Sequence, residues 1–392
     1  MKKNQLLTRR QALYLGLGTF VGIGALTAEE LLNSFNQNQS FADTNRSFNI
    51  AGANPLKERA AKKGLIYGTS TTKFSLSLDT QHAAAIVKDC DMLVPGWEFK
   101  WTAGSANLRP DAENFDFSQA DWMFDFATTH NMSTRGHTLV WHESLPKWFK
   151  ETVNKQNAQQ LLEKHIERVV GRYAGKIHSW DVVNEAISVS DGLPNKLRKT
   201  PWLNSLGPEY IDLAFRLTAA ADPDALLVYN EKGLDYDDQI YDQRRAAVLK
   251  LLERLKSQGT PIHALGTQAH LSPGNNKFNP EKLRQFFRDV ASLGLKIMIT
   301  ELDVSDKYLP RDIAIRDRIV AATYEDYLSV VLDEPAVIAV ITWGLSDKYT
   351  WLNEFAPRQD GKPSRPLPLD TQMQRKLAWN AIARAFDNAP KR

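Results

Sequence analysis

The chain has 392 residues, enough for one large domain or two ordinary ones, and its 43% apolar content supports a sizeable core. The formal net charge is only +3, and no basic stripe or charge run suggests a nucleic-acid partner. A single cysteine, Cys90, excludes an intramolecular disulfide framework; it precedes a predicted strand and reads as an inert buried thiol.

Lys2, Lys3, Arg9 and Arg10 precede a weakly apolar, glycine-rich run from Ala12 to Ala28, the layout of an export signal. Thr8-Arg9-Arg10-Gln11-Ala12-Leu13 is similar to a twin-arginine signal, with Ala12 where that motif usually has phenylalanine. An ordinary secretory signal is the alternative. The run is short and glycine-diluted for a membrane anchor. Cleavage after Ala28 competes with cleavage at Ser40-Phe41-Ala42. Lack of disulfides suits a protein that folds before export, so a periplasmic or secreted destination is expected. From Glu29 to about Asn54 the chain is polar and Asn/Gln-rich and reads as a linker. Signal and linker are therefore assigned to residues 1–42 and beyond, and the folded domain to 55–392.

Short apolar runs follow at Leu65–Thr69, Met92–Pro95, Thr134–Val140, Ile177–Val183, Leu226–Asn230, Ala264–Gln268, Ile297–Glu301 and Val337–Trp343. Amphipathic stretches separate them, roughly Asp79–Asp89, Ser118–His130, Asn157–Tyr173, Pro208–Ala221, Asp237–Ser257, Pro280–Leu293 and Asp312–Leu332, with Thr371–Phe386 last. Asp79, Ser118 and Asn279-Pro280 mark helix starts; Gly259 and Gly294 mark stops. Alternating strands and helices imply parallel pairing through helical crossovers. Eight such units fit a closed (β/α)8 TIM barrel, with a doubly wound open sheet as the alternative. Polar residues end most of the predicted strands, which favours the barrel: Lys100, His137, Trp141, His142, Asn184-Glu185, Asn230-Glu231, Gln268, His270, Glu301 and Trp343.

Two of these are carboxylates that end apolar runs, in Trp180-Asp181-Val182-Val183-Asn184-Glu185 and Ile299-Thr300-Glu301-Leu302-Asp303. Such a position fills a core poorly and faces a shared pocket well, so the pair points to acid/base or nucleophilic work on one bond. Singly, a glutamate is more often a solvated or ion-paired residue, and each histidine a structural one. Gln268 and His270 alternate with Ala269, so both can face one side of the sixth strand. No His-Glu-x-x-His or paired-cysteine spacing supports a catalytic metal, and no Gly-x-Ser-x-Gly supports a serine hydrolase. The ten tryptophans suit either sugar stacking or ordinary packing.

Five ordered motifs resemble the glycoside hydrolase family 10 endo-β-1,4-xylanases, over about Leu65 to Phe386. They are Arg135-Gly136-His137-Thr138-Leu139-Val140-Trp141-His142, Trp180 to Ala186, Gln268-Ala269-His270, Ile299 to Asp303, and the segment Trp343 to Trp351 with Pro366-Leu367-Pro368-Leu369-Asp370. The resemblance implies a retaining hydrolase of xylan or xylo-oligosaccharides that needs no cofactor and acts as a monomer. Glu185 would be the acid/base, protonated near working pH, and Glu301 the charged nucleophile. It implies that His270 bonds Glu301 with Asp303 behind it, and that Gln268 supports the same strand end. Asn184 would hold the 2-hydroxyl, Lys100 and His137 other hydroxyls, and Trp141, Trp343 and Trp351 the glycone wall. Tyr236 would stack on the aglycone side.

The chain departs from the family at three places. Gly96-Trp97-Glu98-Phe99-Lys100-Trp101 stands where Glu-Asn-Glu-Met-Lys-Trp is usual, and Ser144 where glutamine is common. Asn230-Glu231-Lys232-Gly233 replaces Asn-Asp-Tyr-Asn. Losing polar contacts at the second glycone subsite weakens binding along the chain. A β-1,4-glucanase or mixed xylan/glucan hydrolase is therefore the near alternative. A non-catalytic polysaccharide-binding protein is the alternative of another class, against which both glutamates speak.

Overall fold

The computed structural model describes residues 46–274 and 277–392. The export-signal expectations at Thr8–Leu13, Ala12–Ala28 and Ser40–Ala42 lie outside the described residues.

Eight strands form the centre: β1 (Ile66–Thr71), β2 (Met92–Pro95), β3 (Ser133–Gly136), β4 (Ser179–Asn184), β5 (Leu226–Glu231), β6 (Ala264–Thr267), β7 (Lys296–Val304) and β8 (Val337–Thr342). Each pairs in parallel with the next. β8 also pairs with β1, Ala339 opposite Ile66 and Thr342 opposite Thr69, so the sheet closes into the expected barrel. Closure removes both sheet edges.

Strands covered on both faces read as near-continuous apolar runs, as the Val-Ile-Ala-Val-Ile of β8 does before Thr342. Inward residues Met92, Val94, Val228, Ala264, Met298, Ala339 and Ile341 form a separate inner cluster. Spacings of two in β2 and β8 put successive layers on one face. Space there is tight: a Cβ on Gly68 would stand 2.7 Å from the Met92 carbonyl oxygen. Outward residues pack against the helices. The helix Ala158–Arg172 buries Leu161, Leu162, Ile166, Val169 and Val170, the stripe its periodicity predicts.

Seven of the eight expected helices begin and end within two residues of expectation; the last, expected from Thr371, begins at Leu377. Asp79 caps the helix Thr80–Asp89 by accepting the Gln81 and His82 N–H groups. Asn279 caps Pro280–Ser292, which has proline in its first turn. Gly259 and Gly294 take left-handed conformations just past their helices, as stop signals should. Ser118 opens its helix, but its N–H is satisfied by Asp116 at 2.9 Å rather than by a cap of its own.

Short helices at Leu56–Ala61, Lys73–Leu78, Lys147–Thr152, Pro201–Leu206 and Leu352–Phe355 add to the expected ones, and three further segments differ from expectation. The third strand stops at Gly136, and Val140 rejoins the sheet only through an isolated bridge to Val183. The seventh runs on to Val304, because His270–Leu271 adds a short parallel pairing to Asp303 and Val304. The stretch expected to be linker up to about Asn54 is packed on the barrel from Arg46, where Phe48 is buried.

Candidate active site

Polar side chains from six strands and their following loops converge at the C-terminal rim. Glu185 follows β4 and has left-handed φ (56°), which turns its side chain off the strand line; Glu301 lies within β7. Both are buried, with 4% and 5% exposure respectively, so neither is a solvated surface glutamate.

Glu301 is held by two donors. His270 Nε2 lies 3.2 Å from its Oε2, and Asn230 Nδ2 donates to Oε1 at 2.8 Å. Behind His270, Nδ1 meets Asp303 Oδ1 at 3.0 Å, and Asp303 Oδ2 accepts the Trp351 indole N–H at 2.7 Å. Burial alone would lower the His270 pKa; Asp303 and Glu301 outweigh it and raise it to about 10. His270 is therefore an imidazolium donating to both carboxylates. Burial alone would raise the Glu301 pKa; the hydrogen bond from His270 and the nearby His137 overcome this and lower it. Glu301 is accordingly a charged carboxylate, as a nucleophile requires.

Glu185 meets a different environment. Gln268 Nε2 donates to its Oε1 at 3.1 Å. Its Oε2 forms an ion pair with Lys232 Nζ at 2.7 Å, and an Arg198 nitrogen stands 4.0 Å away. Arg198 also donates to the Glu185 carbonyl at 2.7 Å, and Arg198 N–H to the Ala186 carbonyl at 2.7 Å, fixing this loop. Burial favours the neutral acid, but the Lys232 ammonium, His142 and the Gln268 amide outweigh it and hold the pKa well below the usual carboxylate range. The expectation that Glu185 is protonated near working pH does not fit this setting in the free protein, where the facing Lys232 ammonium favours the carboxylate. Lys232 belongs to the departing Asn-Glu-Lys-Gly stretch, and the strand pattern gives no hint that it reaches across to β4.

In the sequence Asn230 shows only as a polar strand end, yet it ties the dyad together. Its Nδ2 donates to Asn184 Oδ1 at 2.9 Å as well as to Glu301, and its Oδ1 accepts from Thr300 Oγ1 at 2.7 Å. Asn184 Oδ1 also stands 3.4 Å from Gln268 Nε2. A hydrogen-bonded chain therefore links Glu185 to Glu301 through Gln268, Asn184 and Asn230. Glu231 turns away from the site: Oε2 accepts from the Tyr229 hydroxyl at 2.6 Å and the Ile187 N–H at 3.0 Å. Gln268 and His270 do share the site, though not by strand alternation. β6 ends at Thr267, and Ala269 between them has left-handed φ (59°).

His137 is buried against Asp181, Nδ1 to Oδ2 at 2.8 Å, and Asp181 also pairs with Arg135. The His137 ring packs edge-on against Trp343 at 5.2 Å. Lys100 Nζ lies 5.1 Å from the Trp141 ring centroid and 5.9 Å from that of Trp343. Trp351 stands 5.2 Å from His270. These residues lie together along one side of the site. Tyr236 does not join it: it is 4% exposed, packs edge-on against Tyr241 and accepts the Ser272 N–H at 2.6 Å, so it presents no stacking face.

At the departures, Gly96 is buried, and an added Cβ would lie 3.1 Å from Ser70 Oγ. The half-buried Trp97 ring covers Gly104, where a Cβ would come within 2.4 Å of it. Glu98 is turned inward and accepts the Lys73 N–H at 2.7 Å. Ser144 takes left-handed φ (54°), and its carbonyl accepts the Thr102 N–H at 3.1 Å. Among the described residues no group of three or more His, Cys, Asp or Glu is arranged to hold a metal ion.

The family profile described as Glycosyl hydrolase family 10 matches residues 55–385. Endo-1,4-beta-xylanase C of Paenibacillus barcinonensis is 31% identical over 360 residues, 85% of this chain and 32% of that protein, so the chain spans about a third of that relative's length. Endo-1,4-beta-xylanase B of Thermotoga neapolitana is 33% identical over 304 residues, 77% of this chain and 84% of the relative. The structure of xylanase 10B from Thermotoga petrophila RKU-1 in complex with xylobiose aligns with a TM-score of 0.77 at 31% identity, covering 86% of this chain and 99% of that one. With the barrel, the paired glutamates and a family match over nearly all of the described residues, the chain belongs to glycosyl hydrolase family 10.

Proposed function

We propose that the protein is an endo-acting hydrolase of β-1,4-linked xylan that works by double displacement with retention of configuration. The observation that carries this reading is the unlike setting of two buried carboxylates. Glu301 is charged and oriented by His270 and Asn230; Glu185 has one oxygen held by Gln268 and the other free of any fixed uncharged donor. The names of the relatives support xylan as the substrate.

In the first step Glu301 attacks the anomeric carbon while Glu185 gives a proton to the departing glycosidic oxygen. A glycosyl ester on Glu301 results. In the second step Glu185 takes a proton from water, which attacks the same carbon and releases Glu301. Such a pair needs its carboxyl groups ~5–5.5 Å apart. Esterification removes the Glu301 charge, so the Glu185 pKa falls further, which suits its change from acid to base. In this reading Asn184, fixed by Asn230, bonds the 2-hydroxyl of the attacked sugar, and Lys100 and His137 serve its other hydroxyls, against Trp141, Trp343 and Trp351.

Hydrolysis of xylohexaose followed by NMR tests the reading. The β-anomer should appear first, and Glu301→Ala should abolish turnover while leaving oligosaccharide binding in place. An initial α-anomer contradicts retention. Gly96, Trp97 and Ser144 bear on which chain is cut, so cellohexaose is the control: cleavage of cellohexaose alone would make the substrate a β-1,4-glucan. Export by a twin-arginine route belongs to the same reading, and Arg9→Lys with Arg10→Lys should leave the protein in the cytoplasm.

A further inference from the structure

We propose that Lys232 is a gate on the general acid: its ammonium holds Glu185 as a carboxylate in the free enzyme, and the sugar on the leaving side must displace it before Glu185 can donate. This rests on the hydrolytic reading above and deepens it at the same site.

The geometry singles out one oxygen. Glu185 Oε1 accepts from the Gln268 amide at 3.1 Å, so it serves best as an acceptor in either protonation state. The proton therefore belongs on Oε2, and Oε2 is the oxygen that Lys232 Nζ occupies at 2.7 Å. An ammonium has only protons to offer, so while that contact stands Oε2 is favoured as a charged acceptor and a proton on it would have no acceptor on the lysine side. Before transfer Nζ must withdraw, Oε2 must take up a proton from solvent water, and the glycosidic oxygen must take the place of Nζ; that proton then leaves on the departing sugar hydroxyl.

Lys232 is built to leave. Its backbone is fixed, since its N–H donates to Glu231 Oε1 at 3.0 Å, while its side chain is 40% exposed on a flexible four-carbon stem. The other charged groups facing Glu185 are less movable or more distant. Arg198 is bound to two carbonyls of the same loop, those of Glu185 at 2.7 Å and Ile187 at 3.1 Å. His142, after β3, stands beside Glu143 at 3.4 Å. Lys100, after β2, lies over Trp141 and Trp343, and Glu231 and Glu301 contribute repulsion that favours the neutral acid. Glu185 is thus poised to become an acid once Nζ moves, because what remains is burial and two carboxylates against His142, Arg198 and Lys100.

The consequence is a pH signature. The alkaline limb of kcat/KM reports the acid in the free enzyme, and that of kcat reports it in the complex. With the gate in place the kcat/KM limb lies at lower pH than the kcat limb. An opposite charge at this distance moves a carboxyl pKa by ~1–3 units.

The test compares wild type, Lys232→Gln and Lys232→Arg on two substrates: phenyl β-xylobioside, whose leaving group needs a proton, and 2,4-dinitrophenyl β-xylobioside, whose leaving group does not. On the phenyl substrate Lys232→Gln should move the kcat/KM limb up by about one pH unit or more, close the gap to the kcat limb, and raise kcat/KM above wild type near that limb. Lys232→Arg should behave like wild type. On the dinitrophenyl substrate the three profiles should coincide in their alkaline limbs. Turnover with an unshifted limb in Lys232→Gln, or an equal shift on both substrates, overturns the gate and leaves the hydrolase reading standing. Failure of the wild type to cleave either xyloside overturns that reading, and the gate with it.

Discussion

His270 sits between two carboxylates and gains its charge from both. Its pKa stands at about 10, against 6.5 for a free imidazole. A group raised in the folded state adds stability that is complete below the unfolded value and is lost as pH rises through the folded one. The folded protein keeps this proton between about pH 6.5 and 10 while the unfolded chain does not, so unfolding becomes easier across that window. Urea midpoints measured from pH 6 to 10 should fall for wild type and fall less for His270→Ala; parallel slopes would show that His270 is not the charged link of the triad. This link was legible in the sequence, because Gln268-Ala269-His270 and the Glu301 segment belong to motifs with ordered roles. The strand-end glutamates were legible for a simpler reason: each interrupts an apolar run that has no use for a carboxylate. Lys232 and Asn230 were not assigned roles. Each reaches a partner on another strand, and one chain pattern does not say how far apart two strand ends stand. Tyr236 shows the converse, since an aromatic residue after a strand looks the same in sequence whether its ring faces a ligand or the core.

Strands set the distances within the dyad, and β5 beside β6 shows how little slack they leave. Gly266 of β6 pairs in register with Asn230 of β5. A Cβ at Gly266 would come within 2.3 Å of Asn230 Oδ1 and 2.9 Å of Thr300 Cγ2. Glycine is needed there for close approach rather than for an unusual φ. Gly266→Ala should push the Asn230 amide off Glu301 and Asn184, at a cost of ~1–3 kcal/mol for the buried hydrogen bonds left unmade. The expected result is a fall in kcat of roughly 10–100-fold, with the acid limb moved to higher pH because Glu301 loses a donor to its charged form. Unchanged kinetics with a lowered melting temperature would show that Asn230 only packs. At this scale the helices were the most legible elements, since periodicity, Asp79, Asn279-Pro280 and the two stop glycines all agree. Strand ends were less so. Thr134–Val140 reads as one apolar run, and nothing in it marks the turn of the backbone after Gly136.

The barrel as a whole keeps its chemistry at one rim, and the chain between Arg46 and Asn54 lies at the other. Arg46 pairs with Glu325 and Asp326 of the helix Ile313–Val331, each at 2.6 Å, while Arg384 of the helix Leu377–Asn388 reaches both Glu325 at 2.6 Å and the Asn49 carbonyl at 3.3 Å. Arg59 closes the arm by donating to the Ala51 and Gly52 carbonyls at 2.8 and 3.1 Å. Nearby, Arg392 donates to the carbonyl of Val337, the first residue of β8, at 2.6 Å, and its N–H to that of Lys63 at 3.0 Å. The first and last described segments thus meet where β8 begins and β1 is about to start. Composition alone assigned this arm to the linker, because its asparagines and serine are polar and its one anchor, Phe48, is a single residue without a period. Phe48 is nonetheless buried, with the Arg46 guanidinium 5.6 Å from its ring centroid. Phe48→Ala should cost ~3–5 kcal/mol, whereas Arg46→Ala, which breaks ion pairs still open to solvent at Arg46 and Asp326, should cost about 1 kcal/mol. Because the arm touches no residue of the rim, kcat/KM on xylohexaose at 25 °C should stay within about twofold of wild type in both variants. Denaturant unfolding and kinetics on the same preparations decide the matter: a loss of turnover that scales with the loss of stability would mean that the closed end of the barrel sets the spacing of the glutamates at the open one.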